Sequence, residues 1–215
     1  MPKPRKPAVN ALKRRLRIYC EGEKSEPSYL DGYINLARGA ERKKVVRIEP
    51  TRKNTPVQLV DEAILAKKSP ASLPNDVYWV VYDRESTAKY PDALHAQAYD
   101  RAMRNGINVA INNVCFEYWL ILHFETTDAP YSSYDDLRNQ SCLNPRVKTA
   151  CGKSYEKALP SLFSAIKAEI GTARIRGAQV NKSSLLLAPH GRQKPFELNP
   201  YVGMVDLLNA IDDFD

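Results

Sequence analysis

Apolar residues in the first 125 positions fall in short runs that alternate with segments spaced for helices. Leu16–Cys20, Val45-Val46-Arg47-Ile48, Val77–Tyr82 and Ile107–Ile111 read as four strands. Val77–Tyr82 is apolar throughout, as a central parallel strand covered on both faces should be. Leu30, Tyr33, Ile34 and Ala37 recur at i, i+3, i+4 and i+7, which predicts a helix with one core-facing stripe. Ser25 stands as its N-cap, Pro27 in its first turn and Gly39 at its end. Thr55-Pro56-Val57-Gln58 opens a second helix with a capping box and proline at N1, continuing to about Lys68. A third runs from about Asp92 to Arg104 and stops at Asn105-Gly106. Strand–helix alternation of this kind predicts an α/β fold, a mostly parallel sheet flanked by helices.

After Phe124 the pattern changes. Residues 126–152 are polar and rich in turn formers, and beyond Ser154 the spacing is mainly helical. Ser154–Ile170, interrupted at Pro160, and Pro200–Phe214 are the clearest helices there. The predicted organisation is a basic flexible arm over 1–16, an α/β core over 17–125 and a helical extension over 126–215 packed on that core.

Charge changes the picture only at the amino end. The formal net charge is +7, yet Lys3, Arg5, Lys6, Lys13, Arg14, Arg15 and Arg17 precede any acid. Setting those seven aside from 32 basic residues leaves 25, equal to the 25 acidic ones, so the body is formally neutral. A basic arm with three prolines suits a polyanion such as nucleic acid, or serves as a solubilising tail. Its prolines and lack of serine argue against a mitochondrial transit peptide. No run of about 18 apolar residues occurs, so no membrane span is expected. Cys20, Cys115, Cys142 and Cys151 form no C-x-x-C pair and no zinc spacing with the histidines, which suits a reducing cytoplasm.

The candidate chemistry lies at the ends of two strands. Glu21-Gly22 follows the first strand and Asp83-Arg84-Glu85 follows the third. Either alone is an ordinary loop motif. Together, at the carboxyl ends of neighbouring strands, they could share one crevice and hold Mg²⁺ or Mn²⁺. Such an ion polarises a phosphodiester and acidifies water. In extended backbone the side chains of Asp83 and Glu85 would face the same way, with Arg84 opposite. Glu23 and Glu26 lie close by, and at least one of the three acids Glu21, Glu23 and Glu26 is expected only to complement the helix dipole. Glu117, the lone acid in the apolar stretch Val114–Phe124, has two readings: a first-turn helix acid, or a further metal ligand. His123 reads as a core histidine and His190 as a loop residue. Lys24, Lys153, Arg174, Arg14 and Arg15 are the candidate phosphate contacts.

Three blocks carry a family resemblance: Ile18–Pro27, Val80-Val81-Tyr82-Asp83-Arg84-Glu85 and Asn113–Phe124. They resemble the signature blocks of RloB-like proteins, with Asn199-Pro200-Tyr201-Val202 as a weaker fourth. That family is assigned to the Toprim fold of topoisomerases, primases and overcoming-lysogenization-defect nucleases. The resemblance implies that Glu21 is a general acid or base and that Asp83 and Glu85 match an Asp-x-Asp metal motif. Glu85 departs from the usual second Asp by one methylene, and Val114 replaces a proline common in the third block. It further implies a Mg²⁺-dependent nuclease acting on RNA or DNA in phage defence or abortive infection, working with a partner ATPase of the ATP-binding-cassette (AAA/ABC) type. The chain has no P-loop of its own. The rival reading is a non-catalytic subunit that binds nucleic acid or regulates an ATPase. Primase-like nucleotidyl transfer lacks an accompanying zinc or template module, and topoisomerase action would need strand-gating domains that 215 residues do not accommodate.

Overall fold

The computed structural model describes residues 13–36 and 45–214. Its centre is a five-stranded sheet built from β1 (Leu16–Cys20), β2 (Val46–Glu49), β3 (Val77–Asp83), β4 (Asn108–Asn113) and β5 (Tyr201–Val202). The strand order is β2-β1-β3-β4-β5, with the first four parallel and β5 antiparallel to β4. Because β1 sits between β2 and β3, the winding reverses there. The carboxyl ends of β1 and β3 therefore flank the switch point, where open α/β sheets form their crevice.

Helices cover both faces. On one, α2 (Pro56–Lys68) and α3 (Asp92–Arg104) bury Leu59, Val60, Ala63, Ala98 and Ala102 against Val80, Tyr82 and Ile111. On the other, α1 (Ser25–Leu36) sets Tyr29, Leu30, Tyr33 and Ile34 over Ile18 and Val81. The short helix α4 (Glu117–Ile121) lies in the same core, which continues into α5 (Tyr134–Gln140), α6 (Leu143–Cys151), α7 (Leu162–Ile166), α8 (Ile170–Leu187) and α9 (Met204–Asp212). Residues beyond 125 thus share one hydrophobic interior with the sheet.

Several boundaries differ from the sequence expectation. Pro56 opens α2 as anticipated, but the Thr55 side chain makes no capping bond. Ser25 lies inside α1, and its hydroxyl accepts the Ala158 N–H instead of capping. Ala37 and Gly39 lie outside the described residues, as do residues 1–12 of the arm; Leu16 already belongs to β1 and is fully buried. The polar segment 126–152 holds α5 and α6, the first capped by Ser133 Oγ on the Asp136 N–H at 3.1 Å. The helix expected from Ser154 begins only at Leu162, after Pro160. Pro200–Phe214 is not one helix: Tyr201–Val202 add β5 before α9 starts at Met204. Gly203 joins them where a Cβ would stand 2.5 Å from the Ile111 nitrogen, so only glycine lets the chain pass so close to β4.

Candidate functional site

Ladder hydrogen bonds carry the site residues to the sheet's carboxyl edge. Glu21 N donates to Val81 O at 2.8 Å, extending β1 by one residue. Glu21 Oε2 then accepts the backbone N–H of Asp83 at 3.2 Å. After Asp83 the chain stays beside β4, with Arg84 N on Asn112 O and Glu85 N on Val114 O, both at 2.8 Å. The expected extended geometry stops there, because β3 ends at Asp83 and Glu85 adopts a left-handed φ of 58°. Asp83 and Glu85 therefore share a cleft without sharing a strand face. Glu85 Oε1 instead meets Lys89 Nζ at 2.7 Å. Arg84 does turn away, as expected: it is buried and donates to the Phe196 and Tyr90 carbonyls while pairing with Asp92.

The cleft has a volume of about 400 Å³ and is lined by Glu21, Gly22, Lys24, Glu26, Asp83, Glu85, Lys89 and Lys157 among others. Three of its residues, Glu26, Lys89 and Lys157, were not assigned to the site from sequence. Glu26 is only 6% exposed and stands against Gly22, where a Cβ would fall 2.2 Å from its Oε2. Gly22 thus admits a neighbouring carboxylate to the cleft. Lys157 arrives from the segment before α7. Behind them Glu117 is 2% exposed at the start of α4, its Oε1 accepting the Tyr155 hydroxyl at 2.8 Å.

So many acids in one place perturb each other. Burial, followed by the charges of Glu26, Glu117, Glu21 and Glu85, holds the Asp83 carboxyl well above its ordinary range. Burial pushes Glu21 up to about 7, against the Asp83 N–H bond and with help from Glu85. Glu26 is raised by burial and by Glu117. Burial pulls the Lys157 ammonium down, but Glu117, Asp83 and Glu26 raise it above its usual value. The net result is a site short of positive charge.

Two further groups point the same way. Asp83 Oδ1 is inaccessible and has no hydrogen-bond partner, and neither amide atom of fully buried Asn112 has one. Asn112 is the register partner of Asp83, so their side chains stand side by side. Buried polar atoms rarely go unpaired without a reason. The donor set is all oxygen, which suits a hard divalent cation. In kind, these residues fit such an ion. Their arrangement is looser, since among the described residues no three His, Cys, Asp or Glu side chains are grouped closely enough to hold a metal.

The candidate phosphate contacts scatter. Lys24 lines the cleft and is exposed. Lys153 is exposed just beyond α6, outside the lining. Arg174 is committed elsewhere: it pairs with Asp212 at 2.6 Å and donates to Tyr33 Oη and to Asn209. Arg14 and Arg15 precede β1 and so lie at the opposite edge of the sheet from Glu21; Arg14 stacks over Phe214, and the Arg15 N–H binds Asp76. His123 is a satisfied core residue, its Nδ1 donating to the Trp119 carbonyl and its Nε2 accepting the Tyr29 hydroxyl. All four cysteines are free, with Cys20 and Cys115 buried as expected. Among the described residues no helix is long and apolar enough to cross a membrane.

Comparison with curated proteins and with solved structures gives no match. A family model described as RloB-like protein matches residues 16–211, from the first residue of β1 through nearly all of α9. With the sheet, the cleft acids and the helices that follow all inside that match, the chain belongs to the RloB-like family.

Proposed function

We propose that the chain is a Mg²⁺- or Mn²⁺-dependent nuclease that hydrolyses phosphodiester bonds of RNA or DNA. The observation that carries this reading is the Glu21 carboxylate seated on the Asp83 N–H across the β1–β3 switch point, beside a buried Asp83 oxygen without a partner. Asp83, Glu85 and Glu21 are the residues that would hold the ion, with Glu26 and Glu117 behind them. When bound, a divalent cation polarises the phosphodiester and lowers the pKa of water. The chain's own part is proton transfer and charge balance. In hydrolysis a water oxygen attacks phosphorus, the ester P–O bond breaks, and one proton leaves the water while another reaches the departing oxygen. Glu21, pushed up to about 7, is poised to accept or return such a proton. Lys157 supplies an ammonium group for phosphate oxygens, while Lys89, paired with Glu85, balances the acids.

A role in phage defence and a partner ATPase follow from the family resemblance, a cytoplasmic location follows from the cysteine pattern, and all three belong to the same proposal. One observation favours the non-catalytic alternative: the acids are not closed into a three-ligand group. Purified protein, with and without the partner ATPase, should be incubated with total RNA and plasmid DNA in Mg²⁺ or Mn²⁺. Metal-dependent cleavage that Asp83→Asn abolishes supports the nuclease. Binding without turnover, unaffected by Asp83→Asn, supports the alternative.

A further inference from the structure

Three depressions follow one another along the carboxyl edge of the sheet. The acidic cleft is in the middle. It shares Gly22 and Glu23 with a groove of about 690 Å³ on the β2 side, and Glu85 with one of about 420 Å³ on the β4 side. A flexible chain could cross all three, but only one flank is equipped to hold it. On the β4 side the arginines are spent, since Arg84 and Arg192 both pair with Asp92. On the β2 side, among the described residues, the cations are free. There Glu49 is neutralised by Arg17 at 2.5 Å, while Glu62 keeps its charge and accepts the Thr51 hydroxyl. Arg52 and Lys53 are exposed, and among the described residues neither side chain makes an ion pair or hydrogen bond. Glu23, exposed where the two cavities meet, and Glu62 are the acids there that no cation answers.

From these observations we infer that the β2–α2 loop is the phosphate-gripping wall of the substrate track, with Arg52 and Lys53 holding phosphates of a single-stranded segment beside the acidic cleft. This deepens the nuclease reading and rests on it. The floor of the groove decides for a single strand. Pro27, Ile48 and Pro50 line it along with the cations. Unstacked bases have apolar faces to lay on such a floor, whereas a duplex presents its phosphates and hides its base faces. The loop is also braced from both ends. Thr51 Oγ1 accepts the Lys53 N–H at 3.0 Å, and the Asn54 carbonyl accepts the Tyr90 hydroxyl at 2.7 Å, tying the wall to the cleft.

The test measures binding of short fluorescein-labelled single strands and duplexes by anisotropy in EDTA across a salt series. Arg52→Gln/Lys53→Gln should flatten the log–log salt slope for single strands by about 1.4, roughly 0.7 for each lost phosphate contact. Lys68→Gln, at the far end of α2 and hence the opposite sheet edge, should leave the slope alone. Both substitutions are on exposed side chains, and an unchanged thermal midpoint checks the fold. An unaltered slope in the double variant, in a protein that still binds and cleaves, overturns the groove assignment alone. Tighter binding of duplex than of single strand overturns the single-strand assignment. No binding by the unmodified protein, and no cleavage, overturns the nuclease reading with it.

Discussion

Glu21 Oε2 lies 3.2 Å from the backbone nitrogen of Asp83, so a carboxylate from β1 is anchored on the last residue of β3. This bond needs no side chain of Asp83. It leaves that carboxyl group, already crowded by four other acids, with an unpartnered oxygen. The strands bring the two residues together, but their charges oppose the arrangement.

Asp83→Asn should therefore make the protein more stable while removing its activity. The folded Asp83 carboxyl is raised above its ordinary range, so its contribution is present below that range and lost as pH rises. At pH 8 the carboxylate is a cost that the amide does not carry. A gain of about 1–3 kcal/mol, the scale of an uncompensated buried polar group, corresponds to several degrees in thermal midpoint at this chain length. Differential scanning calorimetry reads it directly. A lower midpoint would show that Asp83 makes a structural contact the geometry does not contain.

Stability should also fall on both sides of an optimum, for separate reasons. Burial raises Glu21 from 4.5 to about 7, so its contribution is complete below 4.5 and lost as pH rises through 7. Burial lowers His95 and His123 from 6.5 to about 4, so theirs is complete above 6.5 and lost as pH falls through 4. Glu21→Gln should flatten the alkaline limb and leave the acid limb intact. If Glu21 also moves the proton, the rising limb of kcat/KM near pH 7 should vanish in the same variant, with a rate loss of roughly 10²–10⁴. An alkaline limb that survives the substitution would assign the ionisation to another member of the acid group.

How far these residues could be read in advance depends on the distance over which their partners lie. Glu21 and Asp83 stand out because each ends an apolar run, and parallel pairing of such runs leaves few arrangements. Glu26 looks like an ordinary helix-terminus acid, and only the contact with Gly22 shows where its carboxylate goes. That missing side chain at position 22 was the available signal. Lys157 and Tyr155 come from a segment far along the chain whose position no local pattern encodes. Glu85 was placed by a strand rule that ended two residues too early, at Asp83. The helix α8 does not stand out within the helical region because half of its buried stripe, Ala173 and Gly177, is too small to signal burial by hydrophobicity. The strand β5, at two residues, has no period at all.

Glu117 can be resolved by a double-mutant cycle with Tyr155. The phenol donates to Glu117 Oε1 at 2.8 Å in a buried setting, and a hydrogen bond to a charged group is worth roughly 1.5–3 kcal/mol. Tyr155→Phe should cost about that much by leaving the carboxylate unsatisfied. Glu117→Gln keeps an acceptor and should cost less. A coupling energy above about 0.5 kcal/mol confirms direct contact. If the Glu117→Gln protein is less stable but retains its specific activity, Glu117 is a structural acid; if it is stable and inactive, it belongs to the reacting site.

The deciding measurement between nuclease and binding subunit is the response of the fold to a divalent cation. An ion that binds only the folded state stabilises it by RT ln(1 + [L]/Kd), about 2.7 kcal/mol at a hundredfold excess over Kd. For this cleft the gain should be larger than for a weak surface site, because the ion also offsets the burial and mutual repulsion that raise Asp83, Glu21 and Glu26. Mg²⁺ or Mn²⁺ should therefore raise the thermal midpoint, and EDTA should reverse it. The shift should be greater at pH 8 than at pH 5.5, where protonated Glu21 and Asp83 compete with the metal. Asp83→Asn should abolish the shift while Arg174→Gln, which breaks a distant pair with Asp212, lowers the midpoint but leaves the metal-induced shift in place. A midpoint that ignores divalent cations at both pH values would leave the acids without an ion to hold, and the chain would then act through binding alone.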